Sequence, residues 1–343
     1  MIKLKKVGKI IGVIFLIVLI LLIISTIIHQ VLKKVDKEKY SIYGEYIEVN
    51  GKNMYISVLG DGEKTIVILP GSGATGSTVY YRPLAEKLAQ NYKVVVVEYF
   101  GYGFSDDTKE ERTNENIVKE LRTCLKNANI EGPYILMPHS MSGIYSLYYA
   151  KTYPDEVEAI IGLDMEIAEY EYSIDWDVLY SKHGITEKKY KSQMEYPVIL
   201  NYLVEKTGIM RWLDKIYNKD LYKKLESYNL YSDEELLIYS KELKNYPSIA
   251  LLNEYGDTYW NNLEEMRNVK YPDSLPVIQF LSSSNIEGSK EFFGIDSLKI
   301  NRDMIVNENI QSISIIEGSH SVIFLDGLTK ICEETKEFID KLE

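Results

Sequence analysis

Tyr134-Ile135-Leu136-Met137 is an apolar run of strand length, Ile144 to Lys151 has helical character, and Pro138-His139-Ser140-Met141-Ser142-Gly143 lies between them. Strand, sharp turn and helix within so few residues constrain the chain more than any other feature. A turn this tight presents the Ser140 hydroxyl above a sheet edge, and the helix N-terminus behind it favours developing negative charge. Two further apolar runs have the same character. Thr65-Ile66-Val67-Ile68-Leu69 enters Pro70-Gly71-Ser72-Gly73, and Val94-Val95-Val96-Val97-Glu98 enters Tyr99-Phe100-Gly101-Tyr102-Gly103-Phe104-Ser105-Asp106. Buried strands that end in small-residue loops and lead into helices predict an α/β chain with its chemistry at one sheet edge.

The serine turn resembles the G-x-S-x-G elbow of α/β-hydrolases, with Pro138 and Ser142 at two positions where the family has small glycine-like residues. Pro70-Gly71-Ser72-Gly73 resembles the family's H-G-x-G turn, and the loop after Glu98 resembles its D-x-x-G-x-G-x-S-D loop, with Glu98 in place of aspartate. The resemblance covers residues 45–164 and 273–343. It implies an α/β-hydrolase fold: a mostly parallel sheet flanked by helices, with a helical cap inserted at 165–272. It also implies carboxylesterase- or lipase-like chemistry with Ser140 as nucleophile and the backbone N–H groups of Ser72 and Met141 as an oxyanion hole. Both donors are main-chain groups, so Pro70 and Ser142 need not abolish them. Ser142 itself is expected to be a packing residue whose hydroxyl is dispensable. A serine at the elbow argues against epoxide-hydrolase and haloalkane-dehalogenase chemistry, which in this family uses an aspartate nucleophile.

The chain has four histidines. His29 ends an apolar run, His183 lies in a polar helical region, and His139 adjoins the nucleophile, where neighbouring side chains diverge. His320 follows the strand-like Ile313-Ser314-Ile315-Ile316 and precedes the amphipathic stretch Leu328 to Leu342, which is where the family carries its base. The family's usual acid position, after Val277 to Leu281, holds Asn285, which cannot carry a charge to stabilise an imidazolium. Some members supply the acid one strand earlier. Here that strand, Val157 to Leu163, ends on Asp164, the expected acid, with Glu287 as the alternative.

Residues 1–9 carry Lys3, Lys5, Lys6 and Lys9, and Ile10 to Ile28 is uncharged. Nineteen helical residues rise about 28 Å, near the roughly 30 Å hydrocarbon core of a bilayer. The run is longer than a cleavable signal core and no small-x-small site follows it. Residues 10–32 are therefore expected to form an uncleaved transmembrane signal anchor, with 1–9 as a cytoplasmic tail and 33–44 as a linker. Lys33, Lys34, Lys37 and Lys39 on the far side weaken the charge bias, but a short basic tail favours an extracytoplasmic enzyme.

Without its first nine residues the chain has 35 basic against 51 acidic residues, a net charge of −16. That balance disfavours nucleic acid and anionic polymers as partners. Cys124 and Cys332 make no disulfide framework, and free thiols are expected. No metal-ligand cluster is apparent, and neither cofactor nor metal is expected. Between Asp164 and Tyr271, pieces such as Val198 to Val204 and Glu234 to Tyr246 have helical spacing. Trp176, Trp212, Trp260 and 15 of the 29 tyrosines fall there, suggesting an apolar pocket with scattered hydroxyl donors. The expected activity is hydrolysis of a small, largely apolar ester or amide. A proline-iminopeptidase-like aminopeptidase using Glu169, Glu171 or Glu205, and a non-catalytic binding module, are the alternatives.

Overall fold

A computed structural model describes residues 2–243 and 248–342. Eight strands form one sheet: β1 (Glu45–Val49), β2 (Lys52–Leu59), β3 (Thr65–Leu69), β4 (Lys93–Glu98), β5 (Tyr134–Pro138), β6 (Val157–Leu163), β7 (Val277–Ser282) and β8 (Gln311–Ile316). Their spatial order is β1-β2-β4-β3-β5-β6-β7-β8. β2 runs antiparallel to both β1 and β4, and every later pairing is parallel.

The continuous apolar runs read as strands because the sheet is covered on both faces. Along β3 and β4, Val67, Leu69, Val95 and Val97 pack into the hydrophobic cluster on one side. Ile66, Ile68, Val94 and Val96 alternate with them and pack on the other. A parallel sheet buried on two sides brings the carboxyl ends of β3, β5, β6, β7 and β8 to one edge, and the segments leaving that edge carry Ser72, Ser140, Met141, Asp164, Glu287 and His320.

Every regular element described between Leu163 and Val277 is a helix, from Glu169–Tyr172 to Asp257–Met266. The expected piece Glu234 to Tyr246 is helical from Asp233 to Leu243, and Tyr246 lies outside the described residues. This helical segment is fastened to the sheet domain by polar groups. Asn262 Oδ1 accepts the Asn114 N–H at 2.9 Å, and Asn262 Nδ2 donates to the Arg112 carbonyl at 2.8 Å. The Asn114 side chain donates back to the Asn262 carbonyl at 3.0 Å. Beside them Arg112 and Glu120 form a buried ion pair. Nearby in the chain, Asp107 accepts the N–H groups of Ile249 and Ala250 at the start of the helix Ile249–Glu254. An acceptor there complements the unpaired donors of a helix N-terminus.

The N-terminal segment departs from the expected boundaries. One helix runs from Ile2 to Tyr40, so residues 2–9 are helical and 33–44 is no linker; only Ser41 to Gly44 separates helix from β1. The helix continues because Ser25, Thr26, His29, Leu32, Lys33, Asp36, Lys37 and Tyr40, spaced three and four apart, turn toward the domain. Lys37 donates to Asp106 at 2.7 Å. The apolar part before them is unburied, and among the described residues this is the one helix long and apolar enough to cross a membrane. Cys124 is buried, Cys332 half-buried, and both are free thiols.

Replacing Asn262 by alanine strands the Asn114 N–H and the Arg112 carbonyl in the interior. Each such group costs roughly 1–3 kcal/mol, so Asn262→Ala should lower the urea midpoint by the equivalent of about 2 kcal/mol or more. A midpoint within error of the parent would show that this junction does not hold the helical segment to the sheet.

Candidate active site

The elbow is built as the sequence suggests, on a backbone that most residues avoid. Ser140 has φ +52°, a left-handed value, between the end of β5 and the helix Ser142–Thr152. Its carbonyl accepts the N–H of Glu166 at 2.6 Å and of Gly143 at 2.9 Å. Gly143 must be glycine, since a Cβ there would lie 2.5 Å from the Glu166 carbonyl oxygen and 2.7 Å from Met165 Cβ. Ser142 is fully buried, and its hydroxyl is engaged rather than idle. It donates to the Pro70 carbonyl at 2.5 Å and lies 3.0 Å from the Tyr99 hydroxyl. The hydroxyl thus ties the elbow to the turn after β3, in addition to the packing role expected of the residue.

Three of the predicted side chains meet. His320, after β8, places Nε2 3.0 Å from Ser140 Oγ. Its Nδ1 lies 3.3 Å from Asp164 Oδ2. A carboxylate only accepts, so Nδ1 carries the proton and Nε2 is left facing the serine hydroxyl. Asp164 is buried, and it too has a left-handed backbone, φ +46°. The last residue of β7, Ser282, holds it from the backbone N–H at 2.9 Å to Oδ1 and from its hydroxyl to Oδ2. The alternative acid is placed elsewhere: Glu287 is exposed on the short helix Ser283–Gly288. Asn285, on the same helix, borders the cavity beside His320.

Ser72 and Met141 occupy the two turns flanking Ser140, and among the described residues neither N–H is given to a protein acceptor. The Ser72 side chain donates to the Tyr255 hydroxyl at 3.2 Å. The turn is braced at Gly73, whose N–H donates to the Tyr102 hydroxyl at 2.9 Å, and Tyr102 in turn donates to buried Glu254 at 2.6 Å.

His139 has a role that sequence reasoning missed. Its Nε2 lies 2.9 Å from the His320 carbonyl oxygen and its Nδ1 2.7 Å from the Tyr81 hydroxyl. The carbonyl can only accept, so Nε2–H donates to it and Nδ1 accepts from Tyr81. Burial, and then the neighbouring His320, push its pKa down to about 4 and keep the ring neutral. His139 is thus a strut from β5 to the backbone of the loop that carries His320. A histidine beside the elbow serine was the only available signal. The other histidines lie apart: His183 stacks on Phe292, and His29 is buried against the helical segment.

A cavity of about 140 Å³ opens beside His320 and Asp164. Its apolar lining is Ile174, Phe293 and Ile295, but Glu166, Glu171, Tyr170 and Tyr190 also face it, so it is more acidic than the expected apolar pocket. Burial, and then repulsion from Glu171 and Asp164, raise the Glu166 pKa to about 8. Burial also raises that of Glu171, against hydrogen bonds from Tyr190 and Tyr259. Glu171 Oε2 is buried without a hydrogen-bond partner among the described residues. The other two acids weighed for amine binding are placed elsewhere. Glu169 accepts the Asn268 N–H, and Glu205 is buried against the N-terminal helix.

The family model for the alpha/beta hydrolase fold matches residues 64–192. An uncharacterised protein of Bacillus subtilis, YbdG, is 27% identical over 301 residues, covering 87% of this chain and 86% of its own. A proline iminopeptidase of Saccharolobus solfataricus is 24% identical over 323 residues, covering 88% and 94%. Among solved structures, the Cif epoxide hydrolase from Acinetobacter nosocomialis superposes with a TM-score of 0.63 at 14% identity, over 92% of this chain and 96% of its own. The matched segment runs from β3 through the elbow into the helical insertion, and the structural likeness extends the same fold over nearly all the rest. The chain has the α/β-hydrolase fold, its residues 64–192 match that family's model, and it is a hydrolase.

Proposed function

We propose that the protein is a membrane-anchored serine hydrolase that cleaves a small ester or amide through an acyl-enzyme. The observation that carries this reading is the 3.0 Å approach of His320 Nε2 to Ser140 Oγ, with a buried carboxylate behind the ring. Ser140 Oγ attacks the substrate carbonyl as its proton passes to His320 Nε2. Asp164 holds the tautomer and stabilises the imidazolium. The oxyanion is received by the N–H groups of Ser72 and Met141. His320 then protonates the leaving group, and a water activated by the same ring releases the acyl group. The apolar stretch Ile10 to Ile28 spans the membrane, with the hydrolase on the extracytoplasmic side.

The acidic lining favours a second reading, an amide substrate with a cationic amine. Glu171, with its unpaired buried oxygen, and Glu166 are the groups placed to receive it. This is the aminopeptidase alternative, now resting on Glu171 and Glu166 rather than on Glu169 or Glu205.

Ser140→Ala should lower kcat by at least about 10⁴-fold without unfolding the protein, and Asp164→Asn should cost up to about 10⁴-fold. Glu287→Gln should leave kcat nearly unchanged. A fluorophosphonate probe should label Ser140 in the parent; an unlabelled, folded protein would indicate a binding module instead. Collapse of activity in Glu287→Gln with a normal Asp164→Asn enzyme would move the acid.

A panel of p-nitrophenyl esters and aminoacyl anilides separates the two substrate readings. If an amine is bound, Glu171→Gln should raise KM for the anilides by roughly tenfold or more, the value of one charge-assisted hydrogen bond, and leave neutral esters unchanged. Equal effects on both substrate types would reject the amine.

Topology has its own test. Protease added to intact cells should digest the catalytic domain while the chain stays in the membrane fraction; a protected domain would reverse the orientation.

A further inference from the structure

The last turns of the N-terminal helix are docked on the helical segment through a buried polar cluster. His29 Nε2 lies 2.9 Å from Glu205 Oε1, which Lys33 approaches at 3.4 Å. Arg211 donates from Nε to His29 Nδ1 at 3.2 Å and from Nη1 to Asp36 Oδ2 at 2.5 Å. Lys241 lies 3.6 Å from the other oxygen of Asp36. His29, Asp36 and Glu205 are all buried. Burial would raise the Glu205 pKa, but the hydrogen bond from His29 and the charges of Lys33 and Lys206 hold it below the ordinary value. The turn between the helices Glu187–Lys206 and Ile209–Tyr217 contains Gly208. A Cβ there would fall 2.5 Å from His29 Cβ and 3.0 Å from the Ser25 carbonyl oxygen. The contact is therefore close, and one depth along the helix is specified.

That depth is informative. Trp212 Nε1 donates to Ser25 Oγ at 3.2 Å. Ser25 lies inside the uncharged run, three residues before Ile28, or about 4.5 Å short of its end. The helix Ile209–Tyr217 thus reaches from the polar turns held by Arg211 back to the last turn of the apolar run. Its outward face carries Trp212, 65% exposed, Ile216, 75% exposed, and Leu213. The preceding helix adds Ile199, Leu200 and Leu203, the last 58% exposed. Both sets have the spacing i, i+1, i+4, and each helix turns a polar anchor inward, Arg211 on one and Glu205 on the other.

We propose that this outward face is a lipid-contact surface, lying in the boundary layer of the bilayer beside the anchor. The proposal rests on the reading of Ile10 to Ile28 as a membrane span. If that run occupies hydrocarbon, the bond from Ser25 to Trp212 holds the apolar face at the hydrocarbon–headgroup boundary, where tryptophan side chains are favoured. Water at that level would expose a contiguous group of large apolar side chains, whereas lipid covers it.

The test uses the full chain in phosphatidylcholine vesicles whose acyl chains are brominated at shallow or deep positions. With Trp176 and Trp260 changed to phenylalanine, Trp212 is the single emitter. It should be quenched, and more strongly by shallow than by deep bromines. A companion chain with all three tryptophans replaced and Leu19→Trp introduced reports on the middle of the run, and it should be quenched most by deep bromines. Circular dichroism checks that each variant is folded. A quenched Leu19→Trp probe with an unquenched Trp212 overturns the lipid-contact surface and leaves the span standing. An unquenched Leu19→Trp probe overturns the span, and the lipid-contact surface with it. Adding Ile216→Asp to the single-Trp212 chain should weaken the shallow quenching; unchanged quenching would mean that Trp212 reaches lipid without this face lying on it.

Discussion

Two adjacent parallel strands, β5 and β6, lead into residues with left-handed backbones, and the site depends on their being held side by side. Ser140 donates its N–H to the Leu163 carbonyl at 3.3 Å, and the Ser140 carbonyl takes the Glu166 N–H at 2.6 Å. The chain thus remains paired across the two turns after the regular ladder has ended. A left-handed serine or aspartate costs of order 1–3 kcal/mol, and each is maintained by these cross-strand bonds and by what packs beneath. Gly143 lets the helix behind Ser140 close onto Met165 and Glu166, and Ser282 holds both oxygens of Asp164. Serine and carboxylate then face the same side of the sheet edge, with the His320 ring between them.

Local features carried much of this. A continuous apolar strand followed by small residues can be read from the chain because its burial and its turn are encoded within a few positions. Ser140, Ser72 and Met141 were legible for that reason. His320 and Asp164 were legible only with the family's strand order, because they meet Ser140 across long sequence separations. The struts were not legible at all. Nothing in the order of residues says that Tyr81 hydrogen-bonds His139, or that His139 holds the backbone of His320. Ser142 was legible only in part for a related reason: a small residue in a tight turn reads as a packing choice, and the partners of its hydroxyl come from the turns after β3 and β4.

The pocket and the N-terminal helix show the same limit in other forms. Aromatic richness in the helical segment suggested an apolar roof, yet Glu166 and Glu171 reach the cavity from the short stretch just after β6. Residues 33–44 looked like a linker because they are charged, but a charged stretch with helical spacing also makes one face of a docked helix. Lys33, Asp36 and Lys37 are charges with assigned partners, and those partners lie far along the chain.

The helix Glu187–Lys206 connects these two regions. Tyr190, near its start, borders the cavity, and Glu205, near its end, is bonded to His29. Fifteen residues of helix separate them, about 22 Å at 1.5 Å per residue. The helix therefore couples the two: docking one end on the N-terminal helix fixes where the other end, and the cavity beside it, stands relative to that helix. If that helix is embedded as proposed, bonds at one height above the lipid are within reach, and a target tethered to the same surface is selected by the length of its tether as well as by its chemistry.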